Sequence, residues 1–281
     1  MPRRCQAEAW RTSSPPSLHN QGQRGARRPV VRVRQSPPTL VHVSTATERD
    51  TKPPAPGDEM NLPGLNVVHL FCAVDVSVDK AAIRDAIESC EQDGCQVVSI
   101  AMLGHKSDLG VVALSNSAER LRHLQTDLTR AGCDIAYSYV SLTEVSEYSG
   151  GVPESMKMAR LRPNLPPEGL SAFCFYPMSK RRLESDNWYR LNYEERLRLM
   201  IEHGVSGRSF RGRVLQLVTG STGLDDYEWG VTLFGKSFDD LKDCVYQMRF
   251  DEASARYADF GVFLTGIVKT PDEVLDLIGS N

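Results

Sequence analysis

The predicted strands and helices of this 281-residue chain occur twice in the same order. The first series starts at 68–76, a run of β-branched and aromatic residues that is typical of a strand. A helical pattern over 78–91 follows, and then two strands, a second helical pattern and the closing strand DIAYSYVSL. The second series runs in the same way from the strand at 170–178 to the closing strand GVFLTGIV. Each half of the chain is therefore predicted to fold as a βαββαβ unit.

Two such units in tandem place the chain in the α+β class. They predict two ferredoxin-like βαββαβ halves whose sheets pack or join around one core. The composition divides the chain into four parts: a disordered N-terminal extension at 1–60, the first half at 61–150, a linker rich in Gly and Pro at 151–169, and the second half at 170–281.

Short polar motifs mark the predicted starts of two helices. Asn116 with Glu119, and Asn192 with Glu195, have the three-residue spacing of a capping box. In this motif the first side chain accepts a hydrogen bond from a backbone N–H of the first helical turn. The two motifs therefore predict one long helix in each half.

Residues 1–59 differ in charge from the rest of the chain. They hold 10 of the 33 Lys and Arg residues but 5 of the 36 Asp and Glu residues, and they are rich in Pro, Ser, Thr and Gln. This composition favours a disordered tail without a catalytic part; an organelle transit peptide and a true start at Met60 are the alternatives. The remaining 23 basic and 31 acidic residues give a net charge of -8, which argues against nucleic-acid binding.

The chain has no apolar run approaching the roughly 18 residues that a membrane-spanning helix needs. Its seven cysteines include no CxxC pair, which argues against zinc sites and a disulfide framework. Cysteines inside the apolar runs LFCAV and AFCFY are expected to be small core residues. We therefore expect a cytoplasmic protein.

His203 is the histidine that most resembles a metal ligand. It stands at the predicted end of a helix, where Gly204 is expected to stop the helix. The helix dipole favours a histidine there, and spacing alone favours this explanation over metal or haem ligation. His69, His105 and His123 are expected to be surface or core residues. The predicted apolar stripe of the helix consists of Tyr193, Leu197, Met200 and Ile201.

The strand FCFYPMSK places three functional side chains on one face. Because side chains alternate with a period of two, Tyr176, Met178 and Lys180 point the same way. This combination predicts a pocket wall in which Lys180 pairs with an anion and Tyr176 has a redox or hydrogen-bonding role. The alternative is a strand end that leaves the sheet, with Lys180 in water. Pro177 favours an edge or irregular position for this strand.

The strand VLQLV carries a single amide on an otherwise apolar face. Gln216 shares this face with Val214 and Val218, so its side chain is either solvated or aimed into a cavity. The loop GSTGLDDYEW after it is predicted to be a solvated turn, since it lacks the ligand spacing of an EF-hand. Motifs typical of phosphate-binding loops, nucleophile elbows and zinc proteases are absent from the sequence.

Seven segments of the two halves form a series that is found in one known family. They are YVSLTEVSEYSGG (139–151), RLRPNLPPEG (160–169), FCFYPMSKRR (173–182), DNWYRL (186–191), EERLRLMIEHGVSGR (194–208), VLQLVTGSTGLDDYEWGVTLF (214–234) and MRFDEASARYADFGVFLTG (248–266). With these segments the chain resembles the coproheme decarboxylases (HemQ/ChdC) of the chlorite dismutase superfamily over about residues 65–278. The resemblance implies two ferredoxin-like halves of the dimeric α/β barrel type, with haem bound in the second half.

The resemblance also implies roles for single residues. His203 matches the proximal ligand of the haem iron, and Tyr176 matches the tyrosine that carries the oxidising radical to a propionate. Arg162 remains a rival to Arg160 for holding a propionate, because the chain is longer than some members in this region. The residues that match the substrate-binding positions of the family are Arg160, Lys180, Met178, Trp188, Gln216 and Ser254.

Gln216 stands at the distal position above the iron and defines the glutamine type of the family. Chlorite dismutases proper carry an arginine there, which argues against chlorite as the substrate. Actinobacterial decarboxylases use a distal histidine before the tyrosine strand, and this chain has no histidine between 124 and 202. Glutamine is not a base, so the group that deprotonates peroxide is not identified.

The function implied by the resemblance is a step of the coproporphyrin-dependent haem biosynthesis pathway. Hydrogen peroxide would drive the decarboxylation of two propionates of coproheme (Fe-coproporphyrin III) to vinyl groups, giving haem b through harderoheme. Coproheme would be both the substrate and the redox centre. A homopentamer and transient contact with ferrochelatase are implied as well. The alternatives are a haem-binding or haem-transfer protein without turnover and, less favoured by Gln216, a chlorite dismutase.

Overall fold

The computed structural model describes residues 63–75 and 77–278. The predicted extension at 1–60 lies outside this part of the chain. The strands are β1 Asn66–Ala73, β2 Gln96–Leu103, β3 Leu109–Ser115, β4 Asp134–Thr143, β5 Ala172–Lys180, β6 Val214–Gly220, β7 Trp229–Gly235, β8 Ala258–Phe260 and β9 Leu264–Lys269. The α-helices are α1 Lys80–Gln92, α2 Ala118–Arg130, α3 Glu154–Leu161, α4 Tyr193–Arg208, α5 Phe238–Met248, α6 Glu252–Ala255 and α7 Pro271–Ile278.

The two predicted βαββαβ units are present, and their strands form one closed antiparallel sheet. The sheet order is β7-β6-β4-β1-β3-β2-β9-β5-β8, and β5 also pairs with β7, which closes a barrel of eight strands. The halves join at β4 with β6 and at β2 with β9. The prediction of two ferredoxin-like halves is therefore confirmed, and the two sheets are joined edge to edge.

Alternation along the strands separates the barrel interior from the helix-covered outer faces. The outer face of the first half packs under α1, α2 and α7, with Ile83, Leu124 and Val274 fully buried. The outer face of the second half packs against α5 and contains Tyr176. Cys72 and Cys174 are buried and free, as expected for core cysteines. Large aromatic residues fill the interior, among them Phe71, Tyr139, Phe173, Phe175 and Phe234.

The helix starts confirm one capping prediction and correct the other. The Asn192 side chain accepts a hydrogen bond from the Glu195 backbone N–H at 2.8 Å and starts α4, as predicted. The second predicted cap is shifted by one residue, because Ser117 rather than Asn116 caps α2 and accepts from the backbone N–H of Arg120. Both residue types are good caps, so the sequence alone did not separate these neighbours.

The predicted end of α4 at Gly204 is wrong. The helix continues to Arg208, because Gly204 keeps a helical backbone rather than the left-handed conformation of a helix end. A glycine inside a helix costs only about 1 kcal/mol, which tertiary packing offsets. The predicted apolar stripe also needs correction, because Ile201 is 56% exposed while Arg196 and Leu199 are buried.

The linker at 151–169 is not irregular throughout, since it contains the two-turn helix α3. The loop after β6 is a turn region that leads into β7 at Trp229, as predicted. No helix among the described residues is long and apolar enough to cross a membrane.

Candidate functional site

The strand β5 places Tyr176 and Lys180 on the outer face of the second half. Tyr176 is 7% exposed, and its ring stacks on Phe263 with centroids 4.6 Å apart. Burial raises the pKa of the Tyr176 phenol, so the phenol is protonated near neutral pH. Its side chain has no hydrogen-bond partner among the residues that the structure describes. Tyr176 is therefore a buried neutral phenol in an aromatic setting.

Lys180 lies four residues further along the same face and is also buried. Its Nζ donates a hydrogen bond to the carbonyl oxygen of Ala253 at 2.9 Å and lies 4.2 Å from the ring centroid of Trp188. Burial lowers the pKa of Lys180 to about 8. The alternative in which Lys180 has reached water is therefore wrong. Met178, between Tyr176 and Lys180 on this face, is half-buried against the same outer core.

The partner of β5 changes at Pro177. One side of β5 pairs with β7 along the strand, so β5 is not an edge strand. On the other side β9 pairs up to Phe175 and β8 pairs from Met178 onward. Pro177 occupies the position between these partners, where neither strand needs a backbone N–H from β5 for a sheet hydrogen bond. The irregular position that Pro177 predicted is confirmed, and the edge position is excluded.

The imidazole of His203 is held on one side by acidic and hydroxyl groups. Its Nδ1 lies 3.1 Å from Oδ2 of Asp251 and 3.4 Å from Oγ of Ser254. A carboxylate accepts hydrogen bonds, so Nδ1 carries the proton and Nε2 has the free lone pair. Burial and the nearby charge of Lys180 lower the pKa of His203, although Asp251 opposes this shift. A neutral histidine held in this way can coordinate a metal through Nε2.

The position of His203 within α4 argues against the helix-dipole explanation. The helix ends at Arg208, more than one turn beyond His203. The dipole effect falls off within the last turn, so it does not account for a histidine here. The ring nevertheless packs against α6, which supplies Ser254 and begins after Asp251.

The Gln216 side chain is partly buried and contacts neighbouring residues. Its Nε2 lies 3.6 Å from the Sγ of Cys244 on α5. The amide also lies close to Gly207 of α4, because a Cβ at position 207 would be only 3.2 Å from Nε2 of Gln216. Cys244 belongs to the same buried cluster as Tyr176, so Gln216 borders this cluster.

The two candidate arginines have different surroundings. The Arg160 guanidinium donates to Oγ of Ser149 at 2.9 Å, next to Tyr148, whose ring meets Trp188 edge-on. Arg162 instead donates to the carbonyl oxygens of Pro63 and Leu161. The contacts connect Arg160, and not Arg162, with the surroundings of Lys180.

Asp251 is the site residue that sequence reasoning missed. It follows α5 and precedes the short helix α6, where an Asp is expected to cap the helix. Asp251 lies in the segment MRFDEASARY, in which the family resemblance implies a role for Ser254 only. Of the other histidines, His69 is fully buried, and His105 and His123 are exposed, as expected for core and surface residues.

A family model described as chlorite dismutase matches residues 78–269. This match spans more than half of the chain, and the protein therefore belongs to the chlorite dismutase family. A solved structure of a haem-binding protein from Thermus thermophilus is 33% identical, with a TM-score of 0.67; the match covers 78% of this chain and 96% of that chain. Haem binding in this family agrees with the imidazole geometry at His203.

Chlorite dismutase structures from Candidatus Nitrospira defluvii share the fold. One structure of a mutant in which lysine replaces an arginine is 20% identical with a TM-score of 0.64, and a complex with imidazole is 19% identical with a TM-score of 0.63. Each match covers 78% of this chain and 96% of the other chain. At this identity the likeness shows the common fold.

Proposed function

We propose that this protein is a coproheme decarboxylase. In each of two rounds, one propionate group, one hydrogen peroxide and one proton give one vinyl group, one carbon dioxide and two waters. The bound iron porphyrin, together with peroxide, supplies the oxidising chemistry. The two rounds convert coproheme through harderoheme to haem b.

The observation that carries this proposal is that Tyr176 and Lys180 share one face of β5 and that Lys180 lies near His203. The first two are four residues apart on one face of β5, about 13 Å along the strand. Lys180 is close enough to His203 for its charge to lower the pKa of the imidazole. A single flat substrate held at His203 can therefore extend along the face that bears both side chains.

His203 has the role of iron ligand in this proposal. Asp251 accepts a hydrogen bond from the Nδ1–H group and so fixes the tautomer that presents Nε2 to a metal. A neutral histidine ligand is typical of peroxidases and globins. The residues present therefore fit an iron porphyrin.

Tyr176 transfers the oxidising equivalents to the substrate. Its phenol would give one electron and one proton to the peroxide-oxidised iron porphyrin, and the resulting tyrosyl radical would take a hydrogen atom from the propionate carbon attached to the porphyrin. The iron porphyrin would then accept a second electron from the substrate radical as the carboxylate leaves as carbon dioxide and the vinyl group forms. The aromatic packing on Phe263 and Phe260 keeps water away from the phenol. A buried site protects such a radical from side reactions.

The remaining candidate residues bind and orient the substrate. Lys180 and Arg160 form charge-assisted hydrogen bonds with propionates, and Ser254 donates its hydroxyl. Met178 and Trp188 line the apolar wall, and Gln216 lies on the peroxide side. A cytoplasmic homopentamer that contacts ferrochelatase belongs to the same proposal, because it follows from the same resemblance.

A haem-binding role without turnover is the second candidate. The Thermus thermophilus relative is described as a haem-binding protein, and Gln216 supplies no acid or base. The two candidate functions differ in the role of Tyr176, because haem binding without turnover does not require an oxidisable phenol. Chlorite dismutation is less favoured, because an amide stands where chlorite dismutases carry arginine.

The test is a peroxide titration of the coproheme-loaded protein, followed by mass spectrometry of the porphyrin. We expect stepwise loss of two carboxyl groups in the wild type. Tyr176→Phe is expected to bind coproheme with unchanged affinity and to lose turnover at least ~100-fold, in line with the loss of a group that acts in the chemical step. The control is Tyr246→Phe, because the Tyr246 ring is 64% exposed on α5.

Unchanged or bleached coproheme in protein that binds it through His203 would contradict the decarboxylase and support the haem-binding role. Equal turnover of Tyr176→Phe and Tyr246→Phe would show that the protein decarboxylates coproheme without the Tyr176 phenol.

A further inference from the structure

Both carboxylate oxygens of Asp251 are bound by side chains of α4. Oδ2 accepts from Nδ1 of His203 at 3.1 Å, and Oδ1 accepts from Oγ of Ser206 at 2.6 Å. His203 and Ser206 are three residues apart, so they lie on the same face of the helix. One helix face therefore holds the carboxylate at two points.

The Asp251 carboxylate does not perform the usual task of its position. Asp251 is the N-cap residue of α6, but its side chain makes no capping hydrogen bond. The backbone N–H groups of Ser254 and Ala255 bond to the carbonyl oxygen of Asp251 instead. The carboxylate therefore accepts its hydrogen bonds from the side chains of α4 and not from the backbone of α6.

Ser206 also gives up its usual local bond. A serine within a helix commonly donates to the carbonyl oxygen four residues earlier. Here the hydroxyl points to Asp251, and the short contact is typical of an O–H group that donates to a carboxylate. Asp251 is 5% exposed, so a carboxylate oxygen without this donor would be buried without a partner.

We propose that Ser206 is a positioning residue for the iron ligand. By anchoring Oδ1, it stops the carboxylate from rotating and keeps Oδ2 in line with Nδ1 of His203. The imidazole plane is then fixed in one orientation for iron binding through Nε2. This inference rests on the part of the proposed function that makes His203 the ligand, and it does not depend on decarboxylation.

The test uses the full-length protein loaded with haem b. The vibrational band of the iron–histidine bond is measured by resonance Raman spectroscopy of the ferrous form, and the reduction potential is measured alongside. We expect Ser206→Ala to broaden the band, shift it to lower frequency and raise the potential, because the Asp251–His203 hydrogen bond loosens. Ser206→Thr keeps the hydroxyl and is expected to restore the wild-type band.

Ser209→Ala is the matched control. Ser209 lies on the same chain segment, and its hydroxyl bonds to the carbonyl oxygen of Ser206 rather than to Asp251. It is expected to leave band and potential unchanged. In an Asp251→Asn background, Ser206→Ala should add no further shift, since Ser206 acts through the carboxylate.

A sharp band at the wild-type or a higher frequency in Ser206→Ala would overturn the positioning role, because the carboxylate would then be held without the hydroxyl. A band that survives in His203→Ala would overturn the ligand assignment itself. Neither result depends on whether peroxide decarboxylates coproheme, so failure of the proposed function is seen separately.

Discussion

Gly207 of α4 and Gln216 of β6 are in direct contact. A Cβ at position 207 would lie 3.2 Å from Nε2 of Gln216, which is tighter than most contacts of this kind. Gly207 has a helical backbone, so the constraint on a side chain at this position comes from the Gln216 amide and not from the backbone. The glycine thus lets α4 approach the strand that carries the amide.

This contact predicts different effects for the two glycines of α4. Gly204→Ala meets only the flexible end of Arg208, and we expect it to stabilise the protein by about 0.5–1 kcal/mol through helix propensity. Gly207→Ala gains the same propensity but must displace the Gln216 amide, so we expect a smaller gain or a loss. Thermal unfolding of both variants measures the difference.

The Gln216→Ala background provides the control for this pair. Removing the amide should let Gly207→Ala recover the full gain, which a double-mutant cycle would detect. Equal gains for Gly204→Ala and Gly207→Ala in the wild-type background would show that Gln216 moves aside freely.

Lys180 is predicted to lower the stability of the ligand-free protein. Its pKa in the folded state is about 8, against 10.5 for an exposed lysine, so burial of the charge costs about 3 kcal/mol below pH 8. The cost disappears as pH rises from 8 to 10.5. Lys180→Met also loses the bond to Ala253 and the contact with Trp188, so we expect a net gain of about 1–2 kcal/mol in unfolding free energy near neutral pH.

Lys106→Met is the matched control for this prediction. Lys106 is exposed, and its Nζ also donates to a backbone carbonyl, that of Phe263. We expect a change within about 0.5 kcal/mol, as is usual for surface sites. Under the proposed function, Lys180→Met should weaken coproheme binding, measured by titration at the Soret band. A loss of stability in Lys180→Met would show that the buried charge is well compensated.

Local patterns were sufficient for the order of the main strands and helices in the two βαββαβ units, but not for the additional short elements α3, α6, β8 and α7. The period of two in β5 placed Tyr176 and Lys180 on one face, and Asn192 marked the start of α4. These features depend on residues within a few positions of each other, which is the range in which sequence patterns are reliable.

Features that depend on distant partners were not predictable. The barrel closes because β5 pairs with β7 as well as with β9, and no local pattern encodes this. Gly204 resembled a helix end, but α4 continues to Arg208 and packs against α5 and α6. Asp251 resembled a cap, and its bonds to His203 and Ser206 arise because α4 and α6 meet in three dimensions.

His69 gives a pH-dependent prediction for the first half. It lies fully buried in the barrel, with its ring 4.3 Å from that of Phe175 and its Nε2 2.8 Å from Oγ1 of Thr232. Burial lowers its pKa to about 3, below the ordinary value of 6.5. The unfolded chain binds one more proton between pH 6.5 and 3, so the contribution of His69 is fully present above pH 6.5 and is lost as pH falls through this range.

As the pH falls below about 6.5, we expect the titration of His69 alone to lower the free energy of unfolding by about 1.4 kcal/mol per pH unit. This amounts to about 2 kcal/mol between roughly pH 6.5 and 5. His69→Gln removes the titration and keeps a polar partner for Thr232. We expect this variant to be less stable than the wild type near neutral pH, and to lose about 2 kcal/mol less unfolding free energy than the wild type between roughly pH 6.5 and 5. His123→Gln, at an exposed position, should keep the wild-type slope. Denaturant unfolding at a series of pH values measures all three proteins. Parallel curves for wild type and His69→Gln would mean that the barrel accommodates a charged His69.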